Sequence, residues 1–158
     1  MRKLFKTLFS LGGLALVGGL VYKGTSNLLN EKEKKINKFK KYYNTTNQWL
    51  YNKNKGINLS EYFINKGYNN IAIYGMGELG CRLYEELKET PVKVSYAIDK
   101  EANSRYSEVK VIELNQEFDD VDAIVVTPIF DYESIKEILV GKTDNTIISL
   151  EDIFYDLT

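Results

Sequence analysis

The chain has 158 residues, a length that suits one domain with an appendage and argues against two separate cores. Its 21 basic and 22 acidic residues nearly cancel, which excludes a global field that would attract nucleic acid. Histidine is absent and Cys81 is the single cysteine, which excludes catalytic triads, most zinc sites and intramolecular disulfides. What remains is a binding fold, or an enzyme whose cofactor carries the chemistry.

The first predicted segment, residues 1–24, opens with three basic residues and then runs without a charge from Thr7 to Tyr22. If Lys6 snorkels, the apolar run 4–22 is just long enough to span a bilayer. Lysines are more numerous after this run than before it, which favours a cytoplasmic position for the rest of the chain. We therefore expect a single anchor at the inner membrane surface. The alternatives are a cleaved signal peptide, a surface-lying helix, and a buried helix of a soluble cytoplasmic protein.

Residues 25–57 are predicted to form a charged amphipathic helix. Its apolar side chains, spaced three and four apart, define one stripe: Ile36, Phe39, Tyr43, Thr46 and Leu50, with Trp49 beside them. Fewer than two heptads carry large apolar side chains, so the pattern favours packing of the stripe on the following domain over self-association. The lysines of this helix also suit anionic lipid head groups.

The domain predicted for residues 58–158 opens with a short helix, Leu59 to Lys66, which begins after Asn58 and ends at Gly67. A strand at 70–74 then leads directly into a glycine motif and a helix from Glu78 to Thr90. The motif is Gly75-Met76-Gly77-Glu78-Leu79-Gly80. In a G-x-G-x-x-G motif the first glycine permits a tight turn, the second lets a phosphate approach the backbone N–H groups, and the third lets helix and strand pack closely.

A second strand, predicted near 92–98, ends at Asp99, which lies 19 residues beyond Gly80. An acidic residue at this place accepts hydrogen bonds from ribose hydroxyls and disfavours a 2′-phosphate. We therefore predict that residues 75–80 and Asp99 bind NAD or a nucleotide-sugar. The alternative is that the glycines serve only tight packing and that Asp99 is a turn residue.

The remaining elements alternate in type. They are a third strand near 109–114 reached by a loop, a fourth strand at 122–128, a helix at 131–140, a strand at 146–149 and a terminal helix after Ser149. Ile135, Ile138 and Leu139 are expected on the inner face of the helix at 131–140. This alternation predicts an α/β fold, a Rossmann-like parallel sheet of about five strands in the order 3-2-1-4-5 with helices on both faces.

The stretches IAIYGMGELGCRLYEEL, YAID, DAIVVTPIFDYESIKEIL and IISLEDIFYDL resemble small Rossmann-type NAD(P)- or nucleotide-sugar-binding proteins and domains of bacterial capsule and cell-surface polysaccharide biosynthesis. The resemblance covers residues 58–158. It implies a nucleotide-binding accessory protein, with a glycosyltransferase or another protein of polysaccharide biosynthesis as a possible partner. An NAD-dependent oxidoreductase or epimerase-like enzyme, and a docking module that binds no ligand, are the alternatives.

Three further signals in the sequence are weaker. Tyr132 and Lys136 have the Tyr-x-x-x-Lys spacing of short-chain dehydrogenases, but this spacing recurs at five other tyrosines and does not discriminate. Cys81 is expected to be a small buried packing residue rather than a redox thiol. Thr127 ends the fourth strand, so it is predicted either to face the ligand crevice or to serve as a strand-end hydroxyl. No catalytic or metal-ligating set is predicted.

Overall fold

The computed structural model describes residues 2–100 and 108–157, with side chains described for residues 25–100 and 108–157. It divides the chain into two compact units, Met1–Lys40 and Lys41–Thr158. Within the part of the chain that is described, no helix is long and apolar enough to cross a membrane. The apolar run at 4–22 lies outside the described side chains, so the predicted anchor gains no support here.

A single helix, α1, runs from Arg2 to Asn54 and contributes to both units. Within the second unit, four of its buried or half-buried residues are spaced three and four apart, namely Tyr42, Thr45, Trp49 and Asn52. The Trp49 ring stacks on Phe154 with centroids 4.7 Å apart, and the Asn52 side-chain amide donates to the Phe154 carbonyl at 3.0 Å. These contacts fix which face of α1 packs on the domain.

Within the second unit, the prediction that the stripe of α1 packs on the domain is wrong, because its members Tyr43, Thr46 and Leu50 are all exposed. Ile36 and Phe39 belong to the first unit. The buried face is rotated from the stripe, because Trp49 and Asn52 make specific contacts with the last helix that Tyr43 and Leu50 do not make. Sequence periodicity detects an apolar face but does not say what it contacts.

The second unit is built on a five-stranded parallel sheet. Its strands are β1 (Asn70–Tyr74), β2 (Lys93–Ile98), β3 (Val111–Ile112), β4 (Ala123–Val126) and β5 (Thr146–Ser149). All pairings are parallel and the order is β3-β2-β1-β4-β5, which confirms the predicted fold class and strand order. The chain adds β2 and β3 on one side of β1, and then β4 and β5 on the other side. The point where the strand order reverses therefore lies between β1 and β4.

Helices cover both faces of the sheet. They are α2 (Leu59–Lys66), α3 (Glu78–Leu87), α4 (Tyr132–Val140) and α5 (Leu150–Asp156), with a short 3₁₀ helix at Ile129–Asp131. One core joins α2, α3, α5 and Trp49 to the face of the sheet that carries Ile71 and Ile73. The other core joins α4 to the face that carries Ala72 and Tyr74. Alternate residues of β1 therefore point into different cores.

The predicted helix starts agree with the structure where a polar side chain caps the helix. Asn58 Oδ1 accepts from the Ser60 N–H at 3.0 Å, and Ser149 Oγ accepts from the Glu151 N–H at 3.2 Å. The end of α3 differs, because this helix stops at Leu87 rather than Thr90. Both the N–H and the hydroxyl of Thr90 donate to the Leu87 carbonyl, which closes the helix one turn before Pro91.

Two further expectations about side chains are wrong. Ile138 is exposed, because the sheet covers the face of α4 that carries Ile135 and Leu139, one helical turn apart. Cys81 is also exposed, since the neighbouring Gly80 takes the position that faces the backbone of Gly75. The loop predicted at 100–108 falls largely on residues 101–107, which lie outside the described part of the chain.

Candidate functional site

The glycine loop, residues 75–80, joins β1 to α3 at the carboxyl edge of the sheet. Gly75 has φ +92°, a left-handed conformation that side chains rarely adopt, and its N–H donates to the Ile98 carbonyl at 2.8 Å. A Cβ added here would lie 2.8 Å from the ring of Pro128. Gly75 is therefore required by the fold itself, as the predicted tight turn implies.

Gly80 is required for a different reason. A Cβ at this position would lie 2.0 Å from the Gly75 carbonyl oxygen, a distance that no rotation of a flexible side chain can relieve. The first turn of α3 therefore rests directly on the backbone of the loop. This contact is the close helix–strand packing that the third glycine of the motif predicts.

Gly77 differs from these two glycines. It is the N-cap of α3, its φ is −71°, and a Cβ added to it would meet nothing within 4 Å. Serine, asparagine or aspartate in this place would cap the helix through a side-chain oxygen, whereas Gly77 makes no side-chain cap. No neighbouring protein atom gives a steric reason for a glycine here, because the space beside Gly77 is open.

Asp99 comes from the end of β2 and reaches the same loop. Its Oδ2 accepts a hydrogen bond from the Met76 N–H at 2.6 Å, so the carboxylate is held beside the glycine loop. A charge-assisted hydrogen bond of this length is among the stronger contacts that a backbone amide makes. The structure thus brings together the two groups, residues 75–80 and Asp99, that the sequence predicts as one site.

A cavity of about 580 Å³ opens beside this contact, within the usual range for small-molecule sites. Its described lining includes Tyr74, Gly75, Asp99, Lys100, Leu114, Pro128, Asp131, Ser134, Ile135 and Ile138. Tyr74 ends β1, Asp99 follows β2 and Pro128 follows β4, so the cavity lies at the point where the strand order reverses. Open parallel sheets bind their ligands at this place.

The electrostatics of the cavity are set by a few groups. Two carboxylates, Asp99 and Asp131, and one cation, Lys100, belong to its described lining. Burial raises the pKa of the Tyr74 phenol, and the nearby negative charge of Asp99 raises it further. Tyr74 is therefore a neutral hydroxyl at physiological pH. The described lining offers hydrogen-bond acceptors for a diol and a single cation for an anionic group.

The other predicted binding residues have diverse environments. Met76 and Leu79 are buried, and both belong to the core beneath α3. Glu78 is exposed on the first turn of α3. Thr127 is buried, and its hydroxyl lies 2.6 Å from the Gly75 carbonyl and 3.2 Å from that of Tyr74. Thr127 therefore supports the turn from behind, as a strand-end hydroxyl.

The weaker sequence signals have structural explanations. The Tyr132 hydroxyl donates to the Ile147 carbonyl of β5 at 3.1 Å, while the Lys136 ammonium lies 5.5 Å from the centre of the Tyr132 ring. The phenol is thus engaged with the sheet backbone. The Cys81 thiol lies 3.4 Å from the Met76 carbonyl, on the outer side of α3. Among the described residues, no group of acidic side chains and cysteine could hold a metal ion.

Sequence reasoning missed most of the cavity wall. Tyr74, Lys100 and Pro128 could have been found, because they directly end or follow predicted parallel strands, where ligands bind. Leu114, Asp131 and Ser134 carry no local signal, because they reach the cavity only through the packing of the β3 and α4 segments.

The class that the fold and site define is an α/β protein with a five-stranded parallel sheet and a glycine loop at its carboxyl edge. No protein-family model, no curated protein and no solved structure matches the chain.

Proposed function

We propose that this chain is a nucleotide-binding accessory protein whose ligand, NAD or a nucleotide-sugar, lies across the glycine loop. Gly77 is the observation that carries the proposal. Gly75 and Gly80 are explained by the protein's own backbone, whereas Gly77 faces open space and has an ordinary φ. A ligand phosphate close to the backbone would account for a residue without a side chain at this position.

The position of Asp99 supports a ribose as the part of the ligand next to the loop. Its carboxylate adjoins the loop through the Met76 N–H, so a ribose attached to a diphosphate on the loop would reach it. A carboxylate accepts hydrogen bonds from a 2′,3′-diol and repels a 2′-phosphate. The ligand is therefore expected to be NAD or a uridine diphosphate sugar in preference to NADP.

The accessory role and its setting rest on the sequence resemblance. We propose that the chain presents its ligand to a glycosyltransferase or another protein of surface polysaccharide biosynthesis. A position at the cytoplasmic face of a membrane belongs to the same proposal and depends on residues 4–22. Fractionation of the full chain beside a chain that starts at Ser26 tests this position. If both chains are found in the soluble fraction at low salt, residues 4–22 do not anchor the protein to a membrane.

Calorimetric titration with NAD, NADP, UDP-glucose and UDP tests the binding site. Gly77→Val is expected to abolish binding while the melting temperature stays near that of the native chain, because the added side chain enters open space. The matched control is Gly141→Val, at the end of α4, where an added Cβ meets only the Ile138 carbonyl at 3.6 Å. Unchanged affinity in Gly77→Val would refute a phosphate at the loop.

A second variant tests the role of Asp99. Asp99→Asn keeps an oxygen that can accept from the Met76 N–H but removes the negative charge. NADP affinity should rise towards NAD affinity in this variant. Equal affinities for NAD and NADP in the native chain would contradict the role given to Asp99. Turnover of a nucleotide-sugar with NAD by the native chain would replace the accessory role with an enzymatic one.

A further inference from the structure

Two buried tyrosines lie on the same face of neighbouring strands, Tyr74 on β1 and Tyr96 on β2. Both side chains belong to the core that α4 shares with the sheet, and they are only 7% and 1% exposed. The Tyr96 hydroxyl donates to the Asp119 carbonyl at 2.8 Å. Among the described residues, none forms a hydrogen bond with the Tyr74 hydroxyl. The described part of the chain therefore explains one of these two hydroxyls and leaves the other unexplained.

The Tyr74 hydroxyl opens on the cavity beside the glycine loop. Tyr74 belongs to the wall of this cavity, as Asp99 does. Among the described residues, the fully enclosed side-chain polar atom without a partner is Thr45 Oγ1, so the Tyr74 hydroxyl keeps some accessible surface. Since little of Tyr74 is exposed, the cavity is where this surface lies. The hydroxyl is thus an unused hydrogen-bonding group in the wall of the candidate site.

The neighbouring carboxylate of Asp99 limits which ligand groups suit this hydroxyl. Burial raises the pKa of the Tyr74 phenol and the charge of Asp99 raises it further, so the phenol keeps its proton and can donate. An ionised carboxylate only accepts. A ligand atom that meets both groups must accept one hydrogen bond and donate another, and a hydroxyl does both. A phosphate oxygen would only accept, and the charge of Asp99 would repel it.

We propose that the Tyr74 hydroxyl donates to one of the two hydroxyls of the ligand ribose, and that this ribose hydroxyl in turn donates to Asp99. The inference rests on the proposed nucleotide site and adds Tyr74 to the residues that select its ligand. The ribose is the part concerned, because Asp99 Oδ2 also accepts from the Met76 N–H, next to the place proposed for the diphosphate. A deoxy ligand would cover the Tyr74 hydroxyl without giving it a partner, so the contact favours ribonucleotides.

A tyrosine that served only the core would not need its hydroxyl. Phenylalanine has almost the same shape and would fill the same space in the core. If packing alone matters, Tyr74→Phe leaves the binding of every nucleotide unchanged. If the hydroxyl contacts the ribose, the variant binds ribonucleotides more weakly and distinguishes them less well from deoxy forms.

Calorimetric titration of the full chain with UDP and ADP, each beside its 2′-deoxy and 3′-deoxy forms, tests the contact. At least one deoxy form should bind the native chain about 10-fold more weakly than its parent nucleotide. In Tyr74→Phe the parent nucleotides should bind about 3- to 10-fold more weakly, and the penalty for that deoxy form should shrink by a similar factor. The melting temperature should stay near that of the native chain, because the variant loses no hydrogen bond within the described residues.

Tyr96→Phe is the matched control. It removes the same oxygen from the same face of the neighbouring strand, at a residue outside the described lining of the cavity. It should lower the melting temperature, because the hydrogen bond to the Asp119 carbonyl is lost. Its nucleotide affinities and its deoxy penalty should equal those of the native chain.

A deoxy penalty that shrinks in Tyr74→Phe and persists in Tyr96→Phe would support the ribose contact. Deoxy forms that bind the native chain as tightly as their parents would overturn it and leave the proposed nucleotide site standing. An equal loss for parent and deoxy forms in Tyr74→Phe would also overturn it, because the hydroxyl would then contact another part of the ligand. A native chain that binds neither UDP nor ADP would refute the nucleotide site, and the ribose contact with it.

Discussion

The glycine loop and residues 41–54 of α1 are held in the domain by opposite kinds of contact. The loop is held by backbone atoms so close that Gly80 has no room for one added carbon. The α1 segment is held by large side chains, chiefly the Trp49 ring stacked on Phe154 and the Asn52 amide on the Phe154 carbonyl. The loop should therefore be sensitive to added atoms, and the helix to removed ones.

Removing the Trp49 ring should have the largest effect on stability. Trp49→Ala deletes a buried ring and its N–H bond to Glu86 Oε2 at 2.9 Å, and should lower the free energy of unfolding by about 3–5 kcal/mol. The neighbouring Leu50→Ala, on an exposed side chain, should cost less than about 0.5 kcal/mol. Urea unfolding followed by circular dichroism measures both, because Trp49 is the only tryptophan. Equal costs for the two variants would contradict the packing face.

Adding a carbon to the loop should have the next largest effect. Gly80→Ala places a Cβ against the Gly75 carbonyl oxygen and should lower the free energy of unfolding by about 1–3 kcal/mol. Gly77→Ala, three residues earlier, adds the same carbon to open space and should change it by less than about 0.5 kcal/mol. Thermal unfolding of the two variants measures the difference. A stable Gly80→Ala chain would show that α3 does not rest on the loop.

Ionising the Tyr96 phenol on β2 at high pH should have the smallest effect on the free energy of unfolding. The Tyr96 hydroxyl donates to the Asp119 carbonyl at 2.8 Å, and burial raises the pKa of this phenol from 10.0 to about 12. As the pH rises, this phenol therefore ionises in the unfolded chain before it ionises in the folded chain. Its contribution to the free energy of unfolding is thus fully present below pH 10. It should fall by about 1–2 kcal/mol as the pH rises from 10 to 12.

Urea titrations at several pH values measure this loss. Tyr96→Phe lacks the ionisable group and should flatten the pH profile, although it also loses the hydrogen bond to Asp119. Tyr62, whose pKa burial also raises to about 12, should contribute a similar slope that remains in this variant. A profile that Tyr96→Phe leaves as steep as in the native chain would contradict the role of Tyr96.

The sheet and its loop could be predicted because their signals are local. β1 and β5 have the bounds that their apolar runs and flanking polar residues indicate, and Asn58 and Ser149 cap helices through their own neighbours. Parallel strands joined by right-handed crossovers allow few strand orders, so the topology followed from the sequence of elements. Gly75 and Gly80 followed from backbone geometry that the motif itself specifies.

The rest depends on contacts between distant parts of the chain. No local pattern shows that Asp99 Oδ2 would accept from the Met76 N–H, or that Asn52 would pair with a carbonyl about a hundred residues away. The stripe of α1 was assigned to the wrong contact because hydrophobic spacing is the same whether a face meets the chain's own core or another molecule. Ile138 shows the same effect on α4, where it borders the cavity instead of the core.

The joint between α1 and α5 also sets an order of events during synthesis. Trp49 and Asn52 leave the ribosome well before Phe154, because all five strands lie between them in the chain. The part of α1 that packs on Phe154 therefore stays uncovered until α5 has been made, and contacts of such long sequence separation slow folding. A nascent chain arrested before residue 150 should therefore leave Trp49 more accessible to quenchers than the finished chain does.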